Sequence, residues 1–477
     1  MNLLLPFLGH AESWSKRTAI IEASGRSASF GELARRSAAL AGAWRAAGIA
    51  AGDRVLIAMP LGIDLYAAIA GLWRLGAAVV FPEPALGLAG LRHAASAARP
   101  NAFLTAGWYG ALRLATPELR RIPLHLGLAE RSGGDTCFAA AEDHPALLSF
   151  TSGSTGRPKG IVRSHGFLAA QNAAVARFLA PAQDASIDLV GFPVFVIANL
   201  ALGITSVLPN WRVGRPDRAD GSAVAAWIRR TGVRRILAPP SLCEIIAAAS
   251  PLPELHAVFT GGGPVFPDLL ARLAERLPRA AIASVYGSTE AEPIAHQAVT
   301  DISAADWAAM RRGAGLMAGA PVPDIRLRLI ADEIVVTGAH VNKSYLEGVG
   351  DADTKPVLDG EIWHRTGDAG RLDDSGRLWL LGRRGARAGS FYPFQIEATA
   401  RFWPGVRRAA LIPESAPALL AVEGDASQAP AWQREAERIG GLRIIEMPVP
   451  MDRRHRSKVD YARLQQCYAR SLGKGAS

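Results

Sequence analysis

Residues 27–81 read SASFGELARRSAALAGAWRAAGIAAGDRVLIAMPLGIDLYAAIAGLWRLGAAVVF, and four elements follow one another within them. The run from Ser27 to Gly48 has apolar residues at helical spacing and stops at a glycine, so it predicts an amphipathic helix. DRVLIAM (53–59) is a short apolar run of strand length, LYAAIAGLWRLG (65–76) a second helix, and AAVVFPE (77–83) a second strand. Helix and strand alternating at this pitch predict a parallel sheet with helices on its faces. The rhythm returns in AVAAWIRRTGVRRILAPP (223–240) and LLARLAERLPRAAIASVYG (269–287). Open α/β sheets bind their ligands at the carboxyl ends of such strands.

From Ile325 the texture changes. IRLRLIADEIVVTG (325–338) and GRLWLLGRRG (376–385) read as short antiparallel strands, a small β layer following the α/β part. GARAGS (385–390) reads as a linker, and beyond it AWQREAERIGG (431–441) and LRIIEMPV (442–449) predict a compact helix-and-strand unit. The expected fold class is α/β. A large N-terminal domain of doubly wound sheets plus a small β layer spans residues 1–383. A small α+β C-terminal domain on a hinge spans 384–477.

With 477 residues, 49% apolar and 20% charged, the chain has the composition of a globular protein of two to four domains. Lys plus Arg outnumber Asp plus Glu by 53 to 43, a net charge of +10, but the excess arginine is spread along the whole chain. The densest basic cluster, Arg453 to Lys458, comes without an RNA-binding aromatic signature, so no nucleic-acid partner is expected. Three widely separated cysteines outside any CxxC spacing indicate neither a disulfide framework nor a zinc site, and fit a cytoplasmic protein. The N-terminus lacks the basic region and cleavage site of a signal peptide. Residues 189–211 carry no charge, yet Pro193, Asn199, Pro209 and Asn210 interrupt them, so a buried core segment is expected rather than a membrane span.

The most informative segment is Phe150-Thr151-Ser152-Gly153-Ser154-Thr155-Gly156-Arg157-Pro158-Lys159-Gly160. Small hydroxyl residues and glycines let backbone N–H groups and hydroxyls converge on an anion, and a lysine adds charge, as a triphosphate requires. It is not a Walker A loop, because Pro158 stands where that motif needs its second glycine and no Ser or Thr follows Lys159. Tyr286 follows the strand AIASV, where its ring can stack on a base, and Gly287 lets the backbone approach a nucleotide. Asp368 can accept two ribose hydroxyls through its two oxygens.

Residues 151–160, Tyr-Gly-Ser-Thr-Glu at 286–290 and Arg-Thr-Gly-Asp at 365–368 together resemble, in sequence and order, the acyl-adenylate-forming superfamily of acyl-CoA synthetases, peptide-synthetase adenylation domains and luciferases. The resemblance runs from the helix at Phe30 to Lys458. It implies that ATP is bound by the 151–160 loop, by Gly261-Gly262-Gly263, by Tyr286, Gly287 and Ser288, and by Asp368 and Arg383. It assigns Thr289 to phosphate, Glu290 to Mg2+, and Lys458 to the bridge between the attacking carboxylate and the α-phosphate. A positioned ammonium there offsets the charge that develops as pyrophosphate leaves.

The acceptor of the acyl group is less plainly written. Acyl-CoA synthetases usually carry Asp or Lys two residues after the ribose-binding Arg, where this chain has Gly385. Their loop before a Pro-x-x-Ile-Glu-like segment is longer than the ten residues from Arg383 to Tyr392-Pro393 here. Residues 286–295, 363–373 and 454–460 look closer to the β-lactone synthetases of long-chain olefin biosynthesis, in which the substrate's own hydroxyl closes on the acyl-adenylate. Such an intramolecular attack needs orientation rather than a second cofactor. The open alternatives are CoA or an acyl carrier protein or amine as acceptor, and a degenerate nucleotide-binding protein. The acyl pocket is expected from the uncharged segment, with Phe192, Phe195 and Asn199 as candidates. A His often found in the family opposite Phe195-Val196 is missing.

Overall fold

A computed structural model describes residues 2–82, 86–151, 158–179, 186–249, 251–452, 454 and 456–474, the side chains of Ala115, Thr151, Phe178 and 472–474 aside. The alternating stretch folds as its pattern dictates, into helix Phe30–Ala46, strand Arg54–Ala58, helix Ile63–Leu75 and strand Ala78–Phe81. Ser29 starts the first helix with a reciprocal capping box to Glu32, which satisfies two otherwise orphaned backbone donors. Gly76 ends the second in the left-handed region at φ 74°, a conformation open to glycine at little cost.

Among the described residues two main sheets carry the N-terminal part, beside a two-stranded one of Val357–Leu358 and Glu361–Ile362. The smaller main sheet has six strands, in the order Leu124–Leu126, Ala102–Thr105, Arg54–Ala58, Ala78–Phe81, Pro145–Thr151 and Lys159–Ser164, parallel except for the last pair. The larger has thirteen strands. Its parallel middle runs through Ala281–Ser288, Ala257–Gly261, Arg235–Ala238, Ile187–Val190, Thr205–Val207 and Thr18–Ile21. The antiparallel strands after Ile325 continue this sheet, joined through Leu316–Pro321 and Leu378–Arg383. Between the sheets, helix Ile63–Leu75 is buried almost all round, as expected of an element facing apolar neighbours on every side.

The uncharged segment divides as its interruptions predict, into the end of strand Ile187–Val190, helix Phe195–Leu202 and strand Thr205–Val207. Among the described residues no helix is long and apolar enough to cross a membrane.

After Arg383 come a short turn, helix Pro393–Ala400, and a three-stranded sheet of Val406–Ile412, Ala418–Gly424 and Leu442–Glu446 with helices Ala429–Ile439 and Tyr461–Lys474. This part has its own core around Trp432, Leu420, Leu411 and Ile396. The stretch that reads as a linker between the two parts forms a short turn. Ala386 and Ala388 are 2% and 1% exposed, and Ala388 bridges to Phe391. Ala388 joins the core of the C-terminal part, while a Cβ on Gly385 would meet nothing within 4 Å.

Candidate active site

Three strands end at one place, and each delivers a motif. Pro145–Thr151 turns back into Lys159–Ser164, with Thr151 opposite Lys159. The loop between them, with the candidates Ser152, Gly153, Ser154, Thr155 and Gly156 and the Thr151 side chain, lies outside the described residues. Lys159 packs its Nζ 4.8 Å from the centre of the Tyr345 ring.

Gly261 closes its strand against the next one: a Cβ there would stand 2.5 Å from the Val285 oxygen. Gly262 has φ 71°, and a Cβ on Gly263 would meet the Ser457 Cβ at 2.6 Å. Gly287 is equally confined, since a Cβ on it would stand 2.9 Å from the Ala291 oxygen. These glycines keep side chains out of the strand ends, leaving backbone exposed to a ligand.

Tyr286 donates its hydroxyl to Asp368 Oδ2 at 2.9 Å. Asp368 faces Arg383 across an antiparallel pair, and Arg383 Nε lies 3.1 Å from Asp368 Oδ1. Residues distant in sequence thus form one cluster, fixed by strand register. Arg383 Nη1 also donates to the Thr366 oxygen at 2.8 Å.

Ser288 Oγ is buried without a hydrogen-bond partner among the described residues. The Thr289 oxygen accepts from Arg163 Nη2 at 3.1 Å. Burial brings Arg163 down to about 10, against the pull of Glu292 and Glu290.

Glu290 accepts the Tyr345 hydroxyl at 2.9 Å, and its own carbonyl takes the Asn342 N–H at 2.7 Å. Burial works against its charge, but His364, the Tyr345 hydrogen bond and Lys355 outweigh this and hold the carboxyl below the ordinary glutamate range. Lys355 lies beneath this group. Its Nζ donates to the Asn342 oxygen at 2.6 Å, lies 3.2 Å from His364 Nδ1, and sits 4.8 Å from the Tyr345 ring centre. Burial lowers Lys355 to about 8 and His364 to about 4.

Lys458 comes from the opposite side, on a turn braced by Asp452, whose Oδ1 accepts the N–H groups of Ser457 at 2.9 Å and Lys458 at 2.8 Å. Ser457 is buried, and its Oγ accepts the Ser241 N–H at 3.2 Å. Lys458 keeps an exposed side chain. The surrounding protein, and then Arg383, lower its ammonium from the ordinary lysine range, while Asp368 pulls the other way.

The acyl-pocket candidates separate. Phe192 and Phe195 form a half-buried edge-on pair with centroids 6.0 Å apart. Asn199 does not join them. It is fully buried and donates to Asp188 Oδ2 at 3.2 Å and Ser206 Oγ at 3.1 Å, within a network that Arg235 completes by holding Asp188 at 2.7 Å. A buried ion pair needs its remaining lone pairs filled, and that need accounts for the Asn199 amide nitrogen, while its Oδ1 has no partner among the described residues.

The donor set fits a nucleotide and a hard cation: confined glycines at the strand ends, an orphaned Ser288 hydroxyl, a carboxylate with one oxygen not taken by Tyr345, and an Asp–Arg pair. Sequence reasoning missed Arg163, Asn342, Tyr345, Lys355 and His364. Their signal is three-dimensional, since Tyr345 stands 55 residues from Glu290.

Residues 7–346 match the family model described as AMP-binding enzyme. The chain is 29% identical to the olefin beta-lactone synthetase of Stenotrophomonas maltophilia over 94% of its length and 92% of that protein's. It is 29% identical to a feruloyl-CoA synthase from Amycolatopsis, with 83% of each chain covered. Among solved structures, o-succinylbenzoate CoA synthetase from Bacillus subtilis, in complex with ATP and magnesium, superposes with a TM-score of 0.76 at 21% identity, over 94% of this chain and 97% of the other. Fold, strand-end motifs and family match agree, and the chain belongs to the AMP-binding enzyme family, as an AMP-forming, acid-activating ligase.

Proposed function

We propose that the chain converts a β-hydroxy acid to its acyl-adenylate, releasing pyrophosphate, and that the substrate's own hydroxyl then displaces AMP to close a β-lactone. Residues 1–383 bind ATP and the acid, and 384–477 form the unit that brings Lys458 to them. In this reading Asp368 and Arg383 hold the ribose, Tyr286 and Gly261 to Gly263 line the base, and Ser288, Thr289 and Lys159 with the 151–156 loop take the phosphates. Mg2+, held by Glu290, supplies charge neutralisation on the phosphate oxygens.

The observation that carries the first step is the seating of the Lys458 turn. Ser457 is docked on Ser241 and over Gly263, so Lys458 shares the electrostatic surroundings of Asp368 and Arg383. Carboxylate and α-phosphate repel, and an ammonium held between them stabilises the charge that grows in the transition state. In the second step the hydroxyl oxygen gives up its proton to solvent and bonds to the acyl carbon as the acyl carbon–oxygen bond breaks and AMP leaves.

Ring closure is supported by similarity to the Stenotrophomonas enzyme along nearly the whole chain, and by a tether after Arg383 that is short and packed. An acceptor already on the substrate makes the attack unimolecular and removes the need to seat a second molecule. Thioester formation with CoA is the second reading, favoured by the similarity to feruloyl-CoA synthase.

The test is pyrophosphate release from Mg-ATP with fatty, β-hydroxy and aryl acids, each with and without CoA. The proposal expects turnover with β-hydroxy acids alone, giving a product one water lighter than the acid. Turnover that requires CoA establishes the thioester reading instead.

A further inference from the structure

A cavity of about 360 Å3 that shares no lining residue with the adenylate cluster is lined among others by Asn210, Trp211, Arg212, Arg215, Arg218 and Asp220. Backbone turns bring the arginines together, since Arg215 N–H donates to the Arg212 oxygen and Arg218 N–H to the Arg215 oxygen. None of the three guanidiniums has an ion-pair or hydrogen-bond partner among the described residues. Arginines that hold structure in this chain are paired, as Arg235 is with Asp188, Arg377 with Asp306 and Asp373, and Arg401 with Asp268 and Glu244; unpaired arginines also occur elsewhere, and what sets these three apart is that they line one cavity. Asp220, the carboxylate on the cavity wall, spends Oδ1 on the N–H groups of Ser222 at 2.8 Å and Ala223 at 3.0 Å, capping helix Gly221–Thr231. Three guanidiniums against Asp220 on the wall and Asp217 in the same loop leave this region with a net positive charge.

The cavity has a definite place in the fold. Asn210 and Trp211 follow the carboxyl end of strand Thr205–Val207, which runs parallel to Ile187–Val190, Arg235–Ala238 and Ala257–Gly261 in turn. It therefore opens at the same edge of the sheet as Gly261, three strands or roughly 14 Å along it. Its volume exceeds that of a bare phosphate. Trp211 gives it an aromatic wall, and Asn210 Oδ1 is a buried acceptor with no partner among the described residues.

We propose that this cavity is a second anion site, which takes an organic phosphate with at least two negative charges and a ring system. The arginines hold the phosphates by charge-assisted hydrogen bonds, Trp211 packs on the ring, and Asn210 accepts from an amine or hydroxyl. The site is separate from the one that binds ATP for adenylation.

The test is calorimetric titration of the full chain with adenosine 3′,5′-bisphosphate and, separately, with pyrophosphate, each repeated with ATP and Mg2+ filling the adenylate cleft. With the cleft filled, the wild type is expected to keep one binding event for the bisphosphate. The triple variant Arg212→Gln/Arg215→Gln/Arg218→Gln should weaken it about tenfold or more while leaving ATP affinity unchanged. Binding of the bisphosphate alone identifies a nucleotide-type ligand; equal binding of pyrophosphate identifies inorganic polyphosphate as sufficient and overturns the roles of Trp211 and Asn210. The single variant Arg218→Gln, at an exposed position, provides the same comparison where folding is not in question. No binding beyond the adenylate cleft, or identical isotherms for wild type and variants, overturns the proposal.

Discussion

Ser457 lies directly over Gly263, so that a Cβ added to the glycine would stand 2.6 Å from the Ser457 Cβ and 3.3 Å from its carbonyl carbon and oxygen. This contact joins the turn that carries Lys458 to the strand end that closes the nucleotide cleft. Gly263→Ala should push the turn away. We expect adenylation to fall about 100-fold, because a misplacement near 1 Å has that effect on an aligned reaction. ATP affinity, read by equilibrium dialysis, should change little.

Lys458→Ala removes the ammonium itself. Pyrophosphate release should fall by about 100- to 1000-fold, the usual loss when one charge-stabilising donor is deleted. ATP binding should persist, and retention of full activity would remove Lys458 from its assigned role.

Arg401 fastens helix Pro393–Ala400 and the C-terminal sheet to the N-terminal part, meeting both oxygens of Asp268, at 3.0 and 2.9 Å, and Glu244 at 2.9 Å. Arg384 meets Glu333 at 2.9 Å, and Tyr392 donates to Asp332 at 2.5 Å. Removing one partner of such a buried, hydrogen-bonded ion pair leaves the other uncompensated. Arg401→Ala should loosen the C-terminal unit, seen as faster proteolysis around residues 384–392 and slower adenylation with an unchanged product.

Glu397 supplies a pH signature. It is 1% exposed, accepts the Leu411 N–H at 3.0 Å and the Tyr461 hydroxyl at 2.9 Å through Oε1, and leaves Oε2 unpartnered among the described residues. Burial lifts it to about 7, against those two hydrogen bonds. A carboxyl raised by folding binds more protons in the native state between its unfolded value, near 4.3, and 7. Its contribution is therefore fully present below about 4 and is lost as pH rises through 7. Glu397→Gln should abolish that part of the stability–pH slope, worth up to about 3 kcal/mol, in denaturant titrations at pH 5 and pH 8.

Much of the fold and the site is legible in the sequence. The alternation of 27–81 specifies parallel sheets because period and length carry that information locally, and Tyr286, Asp368 and Arg383 announce themselves by motif. What binds them is register: Asp368 faces Arg383 only because two strands pair antiparallel. Lys355 has no local signal, since a lone lysine reads as solvated surface until folding places it under Tyr345 beside His364. Asn199 is ambiguous in the sequence for a related reason. An uncharged segment with a few polar residues looks alike whether it lines a pocket or fills a core, and the Asp188–Arg235 pair that occupies Asn199 lies up to 36 residues away. The Gly-Ala run after Arg383 marks the junction of the two parts, but small residues suit a flexible tether and a packed turn alike, so its conformation is not legible in the sequence.

Ring closure by the substrate's own hydroxyl is the step on which the proposed function stands, and isotopic labelling reads it directly. A β-hydroxy acid carrying oxygen-18 at both carboxylate positions is incubated with the enzyme and Mg-ATP, without CoA. Ring closure predicts a product one water lighter that keeps one label, with the other label in AMP, because the bridging oxygen departs with the nucleotide and the ring oxygen comes from the hydroxyl. Recovery of the free acid, or a lactone that keeps both labels, would contradict it.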